Sequence, residues 1–330
     1  MKLKVLVTRK IPEPILEKIR NDCDVFVWDN EDTPIPRELL ESKISDVDGL
    51  FCLLTESINS ELLEKASKLK VISNMAVGYN NIDIDAASKK GIMVTNTPDV
   101  LTETTADLTF ALLMATARRL VEASDFLRKG EWQTWSPNLL TGQDIYGATI
   151  GIIGMGRIGE AVARRTKGFN MNLLYHNRSR KLDVEQELGA TYVTLAQLLR
   201  ESDFIVVMTP YSAETKNLIT YEHFKMMKEN AILINMARGG IVNESDLYEA
   251  LVNGEIWGAG LDVFEQEPVP TDHPLLTLPN VVTLPHIGSA SISTRFKMAN
   301  LAADNLLRAL NGEEPINLVN KSHSQTQSEG

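Results

Sequence analysis

One stretch limits what this chain can fold into more than any other: Thr149-Ile150-Gly151-Ile152-Ile153-Gly154-Met155-Gly156-Arg157-Ile158-Gly159, which runs straight into Glu160-Ala161-Val162-Ala163-Arg164-Arg165. A short β-branched run feeds three glycines at GxGxxG spacing. The residues beyond carry small and apolar side chains at helical intervals, so the segment reads as strand, tight turn and helix. In that setting Gly154 makes the turn, Gly156 lets a pyrophosphate approach the backbone and Gly159 lets the helix lie close on its strand. The N–H groups at the helix start, with Met155, Arg157 and Ile158 between the glycines, then hold anionic oxygens. The stretch predicts a dinucleotide site on a doubly wound, Rossmann-type α/β sheet.

With 330 residues, 43% of them hydrophobic, the chain can bury a large core and has the length of about two domains. From Leu3 to about Thr95 short apolar runs alternate with amphipathic stretches: strands at Leu3 to Val7, Asp24 to Trp28, Gly49 to Leu54, Val71 to Ser73 and Ile92 to Thr95. Such alternation implies a parallel sheet covered on both faces, here without a GxGxxG. The turn Asn96-Thr97-Pro98-Asp99 marks the crossing to a second domain, and one long helix is expected over Thr102 to Lys129. The glycine unit opens a series of six strands. A helical pattern over Ile292 to Leu310 then crosses back onto the first domain. The expected division is 1–98 plus 290–320 for a smaller domain, 99–289 for the dinucleotide domain, and 321–330, which lacks apolar residues, as a disordered tail.

The net charge of -11, spread without long acidic blocks, argues against nucleic acid or an anionic membrane as partner. The start reads as a first strand and not a signal peptide, and no apolar run approaches the roughly 18 residues of a membrane span. Cys23 and Cys52 lack metal spacing and fit a reducing compartment, so a cytoplasmic protein is expected; the five histidines show no metal-ligand pairing.

Where the second strand of a dinucleotide fold ends, an acidic residue would pair with the ribose hydroxyls of NAD. Here the strand ends in Tyr175-His176-Asn177-Arg178-Ser179-Arg180. Guanidinium forks suit phosphate oxygens, so Asn177, Arg178, Ser179 and Arg180 read as a pocket for the 2′-phosphate of NADP, with NAD still usable. The loop Gly130-Glu131-Trp132-Gln133-Thr134-Trp135-Ser136-Pro137 reads as an interface.

Three more stretches fall at carboxyl ends of expected strands, where the ligand crevice of an open α/β sheet lies. They are Asn235-Met236-Ala237-Arg238-Gly239-Gly240, Leu261-Asp262-Val263-Phe264-Glu265-Gln266-Glu267-Pro268 and Leu284-Pro285-His286-Ile287-Gly288-Ser289. Singly, Arg238 reads as a surface ion pair, Glu267 as one loop acid among three and His286 as a structural residue. Together they offer a cation for a carboxylate, a proton donor, and an acid able to hold that donor charged.

These motifs, with the early Ala76-Val77-Gly78-Tyr79-Asn80-Asn81-Ile82-Asp83, resemble the D-isomer-specific 2-hydroxyacid dehydrogenases, in particular their glyoxylate/hydroxypyruvate reductase branch, in the right order from about Val71 to Leu310. The resemblance implies a smaller flavodoxin-like substrate domain and an active site in the cleft between the domains. It implies that a small 2-oxo acid is held by Arg238 and the Val77 and Gly78 amides, with Leu53, Leu54 and, from the other subunit of a homodimer, Trp135 around it. His286 would protonate the carbonyl oxygen as hydride arrives and take the proton back in oxidation, assisted by Glu267. Met236, Ala237, Asp262 and Gly288 would line the cofactor, although Asp262 also reads as a structural cap. Other readings of the pattern are a phosphoglycerate dehydrogenase-like enzyme, disfavoured by the missing strand-end acid, and a cofactor-sensing corepressor on the same fold.

Overall fold

The computed structural model describes residues 2–320, so the tail expected at 321–330 lies outside the described residues. Contacts divide the chain into two units, Met1–Leu101 with Ser291–Gly330, and Thr102–Ala290. The first runs through β1 (Leu3–Val7), α1 (Glu13–Asp22), β2 (Cys23–Val27), α2 (Arg37–Ile44), β3 (Gly49–Cys52), α3 (Ser60–Lys65), β4 (Val71–Asn74), α4 (Ile84–Lys89) and β5 (Met93–Thr95). Its strands are all parallel in the order β2-β1-β3-β4-β5, the 2-1-3-4-5 order of flavodoxin-like sheets. Leu6, Leu50, Cys52, Ile72 and Val94 present one face to Leu40, Ile44, Leu62 and Leu63 of α2 and α3. Asn59 and Asp83 start α3 and α4 as N-caps, accepting the N–H groups of Leu62 and Ala86.

The second unit holds α5 (Thr102–Ala117), α6 (Leu120–Arg128), β6 (Thr149–Ile153), α7 (Arg157–Thr166), β7 (Asn172–His176), α8 (Leu182–Leu188), β8 (Thr191–Tyr192), α9 (Leu195–Glu201), β9 (Phe204–Val207), α10 (Tyr221–Phe224), β10 (Ile232–Asn235), α11 (Glu244–Asn253), β11 (Gly258–Leu261) and β12 (Val281–Thr283). Its seven parallel strands lie in the order β12-β11-β10-β9-β6-β7-β8. Counted from β6 this is the dinucleotide-fold order 3-2-1-4-5-6 with one further strand, and the reversal falls between β6 and β9. Alternate residues feed opposite faces: Ile150, Ile152, Phe204, Val206, Ile232 and Ile234 join one cluster, while Ile153, Ile205, Val207 and Leu233 join another. Each such fully buried side chain contributes about 1.5–3 kcal/mol of transfer free energy. The last helix, α12 (Ile292–Leu310), packs on β3 and β4 of the first unit, where the Ser73 hydroxyl donates to the Ala302 carbonyl at 2.7 Å.

Two expectations need correction. The helix expected over Thr102 to Lys129 is broken: α5 stops at Ala117, Arg119 adopts a left-handed φ of 52°, and α6 sets off anew. The break comes from a distant loop. Gln143 donates its N–H to the Ala117 carbonyl at 2.8 Å, and Gly142 lies so close that a Cβ there would sit 2.1 Å from that oxygen. The six strands expected after the glycine turn are seven, because β8 has only two residues, too few to carry a period. Among the described residues, no helix is long and apolar enough to cross a membrane.

Candidate active site

The glycine turn has the form its sequence predicts. Gly154 has φ of +101°, a conformation open mainly to glycine, and a Cβ there would meet the Thr209 N at 2.6 Å. A Cβ on Gly159 would lie 2.3 Å from the Gly154 carbonyl oxygen, so the start of α7 lies directly on the turn. Gly156, the N-cap of α7, has nothing within 4 Å of its Cβ position and no side-chain cap. Met155 is buried, Ile158 half-buried and Arg157 exposed. An unblocked backbone at the positive end of a ten-residue helix fits a pyrophosphate, so the residues present suit a nicotinamide dinucleotide.

At the end of β7 the two arginines differ. Arg180 forks onto Glu185 of α8, Nε to Oε1 at 3.0 Å and Nη2 to Oε2 at 2.5 Å, and Tyr175 donates to the same carboxylate at 2.7 Å. Those bonds hold Glu185 below the usual carboxylate range, the Arg180 hydrogen bond being the largest cause. Arg178 is almost fully exposed, its guanidinium 3.9 Å from Glu214. The Asn177 side chain donates to the Ser179 carbonyl at 3.1 Å and its own carbonyl accepts from Tyr192. The four residues share one turn, with Arg180 already engaged inside the protein.

The three catalytic candidates come together at the ends of adjacent strands β10, β11 and β12. His286 Nδ1 lies 2.6 Å from Glu267 Oε2, and Glu267 Oε1 accepts the Phe264 N–H at 3.0 Å. A carboxylate only accepts, so Nδ1 carries the proton of this bond and Nε2 is the nitrogen left for chemistry. Burial pushes the Glu267 carboxyl up, but the His286 bond and charge, the Phe264 N–H and the Arg238 guanidinium outweigh it and leave it below its ordinary value. For Arg238 desolvation dominates and lowers the guanidinium, opposed by Glu267. Its Nη1 donates to the Ala237 carbonyl at 2.8 Å, and the Asn235 side chain ties the turn by donating to the Arg238 carbonyl and accepting the Ala237 N–H. A Cβ on Gly239 would fall 1.9 Å from the Phe264 carbonyl, so the Arg238 turn lies against the backbone that leads to Glu267.

Asp262 does the work of a cap. Its buried carboxylate accepts the N–H groups of Ile287 and Gly288, both at 2.7 Å, and its carbonyl accepts the His286 N–H at 2.9 Å. Burial pushes its carboxyl up against these bonds. Together they hold His286 at a left-handed φ of +55°. Met236 is buried beside the Gly288 turn, its methyl 3.6 Å from where a Gly288 Cβ would be.

In the first unit Leu53 and Leu54 follow β3, and Val77 and Gly78 follow β4. The carbonyls of Val77 and Gly78 accept from the side chains of Asn96 and Asn74, and among the described residues neither N–H makes a hydrogen bond. Sequence reasoning missed what holds Leu53. Its N–H donates to the buried Glu56 carboxylate at 2.7 Å, which also takes the hydroxyls of Thr8 and Thr55, while the Asn81 side chain donates to the Leu53 carbonyl. Only an acid three residues on hinted at this. Trp135 is 77% exposed.

The model of the D-isomer specific 2-hydroxyacid dehydrogenase NAD binding domain matches residues 110–288, more than half of the chain. The chain is 53% identical over 325 residues to a glyoxylate reductase of Pyrococcus horikoshii and 52% identical over 322 residues to one of Korarchaeum cryptofilum, in each case over 97% of both chains. A solved NADPH-dependent glyoxylate/hydroxypyruvate reductase of Sinorhizobium meliloti, in complex with NADP and malonate, superposes with a TM-score of 0.85 at 35% identity, covering 97% of each chain. With a dinucleotide-fold unit, a matching family model and relatives of half-identical sequence along its whole length, the chain belongs to the D-isomer-specific 2-hydroxyacid dehydrogenases and is an NAD(P)-dependent enzyme of that family.

Proposed function

We propose that this enzyme is an NADPH-preferring reductase of small 2-oxo acids, glyoxylate and hydroxypyruvate first and 2-ketogluconate as a larger candidate, giving D-2-hydroxy acids. The observation that carries the reading is the His286–Glu267 pair, 2.6 Å apart beside the desolvated Arg238, at the carboxyl ends of three adjacent strands. A dinucleotide held by its pyrophosphate at the glycine turn would supply the hydride from its nicotinamide ring. Arg238 takes the substrate carboxylate and turns its carbonyl toward Nε2 of His286. His286 gives its Nε2 proton to the carbonyl oxygen as negative charge grows there, and Glu267 stabilises the imidazolium beforehand and keeps the ring in place. In oxidation the neutral ring takes the hydroxyl proton. The family resemblance implies Val77, Gly78, Leu53 and Leu54 of the first unit as further substrate residues. Met236, Ala237, Asp262 and Gly288 would line the bound cofactor, as the family resemblance implies.

The strand-end turn supports NADP over NAD because it carries Asn177, Arg178, Ser179 and Arg180 and no acid; the Sinorhizobium relative is NADPH-dependent by its own description. For assembly we propose a homodimer. Helix α6 buries none of its residues, and Leu120, Val121, Leu127, Trp132, Trp135 and Tyr146 are all exposed, which a second copy of the chain would cover. Sedimentation equilibrium tests this, a monomer at micromolar concentration counting against it. The buried, unpaired Cys23 and Cys52 are in keeping with a cytoplasmic site.

Initial rates with glyoxylate, hydroxypyruvate, 2-ketogluconate, pyruvate and phosphohydroxypyruvate, each with NADPH and NADH, test the function. The expected order has glyoxylate and hydroxypyruvate, with NADPH, in front. A purified chain that binds NADPH and turns over none of these acids would instead be a cofactor sensor.

A further inference from the structure

A second histidine–carboxylate pair stands behind the first. Glu244, the opening residue of α11, is largely buried; its Oε1 accepts the Glu265 N–H at 2.5 Å and its Oε2 meets His273 Nε2 at 3.1 Å. His273 Nδ1 accepts the Leu275 N–H at 3.4 Å, so Nε2 carries the ring proton and donates it to Glu244. The His273 ring meets Phe264 edge to face, centroids 6.0 Å apart. The Phe264–Glu265 peptide thus gives its N–H to Glu244, has the His273 ring against the Phe264 ring and the Gly239 backbone packed close on it, two residues before the acid that bonds His286. Neither Glu244 nor His273 belongs to the dinucleotide turn or to the acid–base pair.

We propose that Glu244 and His273 are positioning residues for proton transfer, fixing the Phe264–Glu267 loop so that the Glu267 carboxylate stays on His286. The proposal rests on the reading of Glu267 and His286 as the proton-donating pair. Its energetics are those of orientation: a displacement of about 1 Å far from the chemistry can lower a rate by roughly a hundredfold, and a loop released at one of its anchors loses part of that.

The test compares Glu244→Ala, Glu244→Gln, His273→Phe, Glu267→Gln and the double variant Glu244→Ala/Glu267→Gln in the full-length enzyme, measuring kcat, KM for glyoxylate and for NADPH, and Tm. Glu244→Ala should lower kcat about tenfold with KM for NADPH unchanged, and Glu244→Gln, which keeps an oxygen for the Glu265 N–H, should recover part of that. The double variant should be no slower than Glu267→Gln alone, since residues that act through one group are not additive. Losses that multiply in the double variant, or a lowered Tm with kcat intact, would make Glu244 a structural residue and overturn the proposal. If Glu244→Ala does not fold, Glu244→Gln and His273→Phe against Glu267→Gln decide by the same rule. Glu267→Gln at full kcat would refute the underlying acid–base reading, a different failure visible in that single variant.

Discussion

The two arginines after β7 should contribute unequally to cofactor choice, and the inequality can be worked from their surroundings. Arg178 reaches into solvent with only a long 3.9 Å approach to Glu214, so little is given up when a phosphate takes it. Arg180 is forked on Glu185, which also holds the Tyr175 hydroxyl, so its move to a phosphate exchanges one ion pair for another. A charge-assisted hydrogen bond corresponds to roughly tenfold to a hundredfold in Kd, and exposure puts Arg178 at the low end, about tenfold. Arg180→Ala, losing only the difference between two exposed pairs, should weaken NADPH by about twofold to fivefold. Neither change should move NADH, which has no 2′-phosphate. Glu185→Gln should act in the opposite sense, tightening NADPH by releasing the Arg180 fork. The assay is titration of the purified enzyme with each cofactor by fluorescence or calorimetry at about 0.05 and 0.5 M salt; the NADPH difference should shrink at high salt, where the Debye length is only a few ångströms. Equal losses for NADH and NADPH would refute the phosphate pocket, and a larger effect at Arg180 than at Arg178 would refute the accounting from Glu185.

Three further outcomes are expected. His286→Gln should leave the Kd for NADPH near normal while kcat falls at least about a hundredfold, as loss of a general acid requires; stopped-flow reduction of glyoxylate checks it, and a mild loss would mean another proton source. Asp262→Asn puts an amide NH2 against one of two buried backbone N–H groups, an unmade bond worth about 1–3 kcal/mol. Calorimetry should show a Tm lower by several degrees, at about 2–4 °C per kcal/mol, together with a fall in kcat, and an unchanged Tm would remove the cap. Because the folded state holds Glu267 below its ordinary value, this acid contributes stability that is present above its unfolded pKa and lost as pH falls through the folded one. Urea midpoints of the native chain and Glu267→Gln should therefore differ most at pH 7 and converge in acid below the ordinary carboxylate range; a gap that widens in acid contradicts the sign.

The fold was legible where burial is complete. Strands of a parallel sheet covered on both faces are near-continuous apolar runs, and Phe204–Val207 and the first three residues of Ile232–Asn235 announce themselves as such. Short or polar pieces do not: Thr191–Tyr192 is two residues long, and Leu182–Leu188 buries only Val184. The second omission hid a contact, since without α8 nothing suggested that Arg180 faces Glu185. The break after Ala117 was invisible because its cause, the approach of Gly142, comes through space. Much the same divides the site. Arg238, Glu267 and His286 could be read as a set from their places after strands, but Glu244 and His273 lie 29 residues apart and Asp262 holds amides 25 and 26 residues on. Sequence patterns carry the groups that do chemistry on strand ends, while the groups that hold them still are fixed by loop-to-loop contacts with no period.

Those contacts explain why His286 and Glu267 stand as a hydrogen-bonded pair. Three loops leave adjacent parallel strands on the same side, and each is tied to the next: Gly239 lies on the Phe264–Glu265 peptide and Asp262 takes three amides from the loop after β12, while within the middle loop Phe264 gives its N–H to Glu267. The left-handed His286 costs of order 1–3 kcal/mol, and three hydrogen bonds to Asp262 are enough to offset it. On the proposed reading, a histidine whose backbone is held in this way and whose Nδ1 is bonded to Glu267 meets the substrate oxygen with its orientation set in advance, which lowers the cost of arranging the proton donor. Glycine at 286 would relax the turn and abolish the donor; only a residue tolerant of that φ and able to carry a proton near neutrality meets both demands.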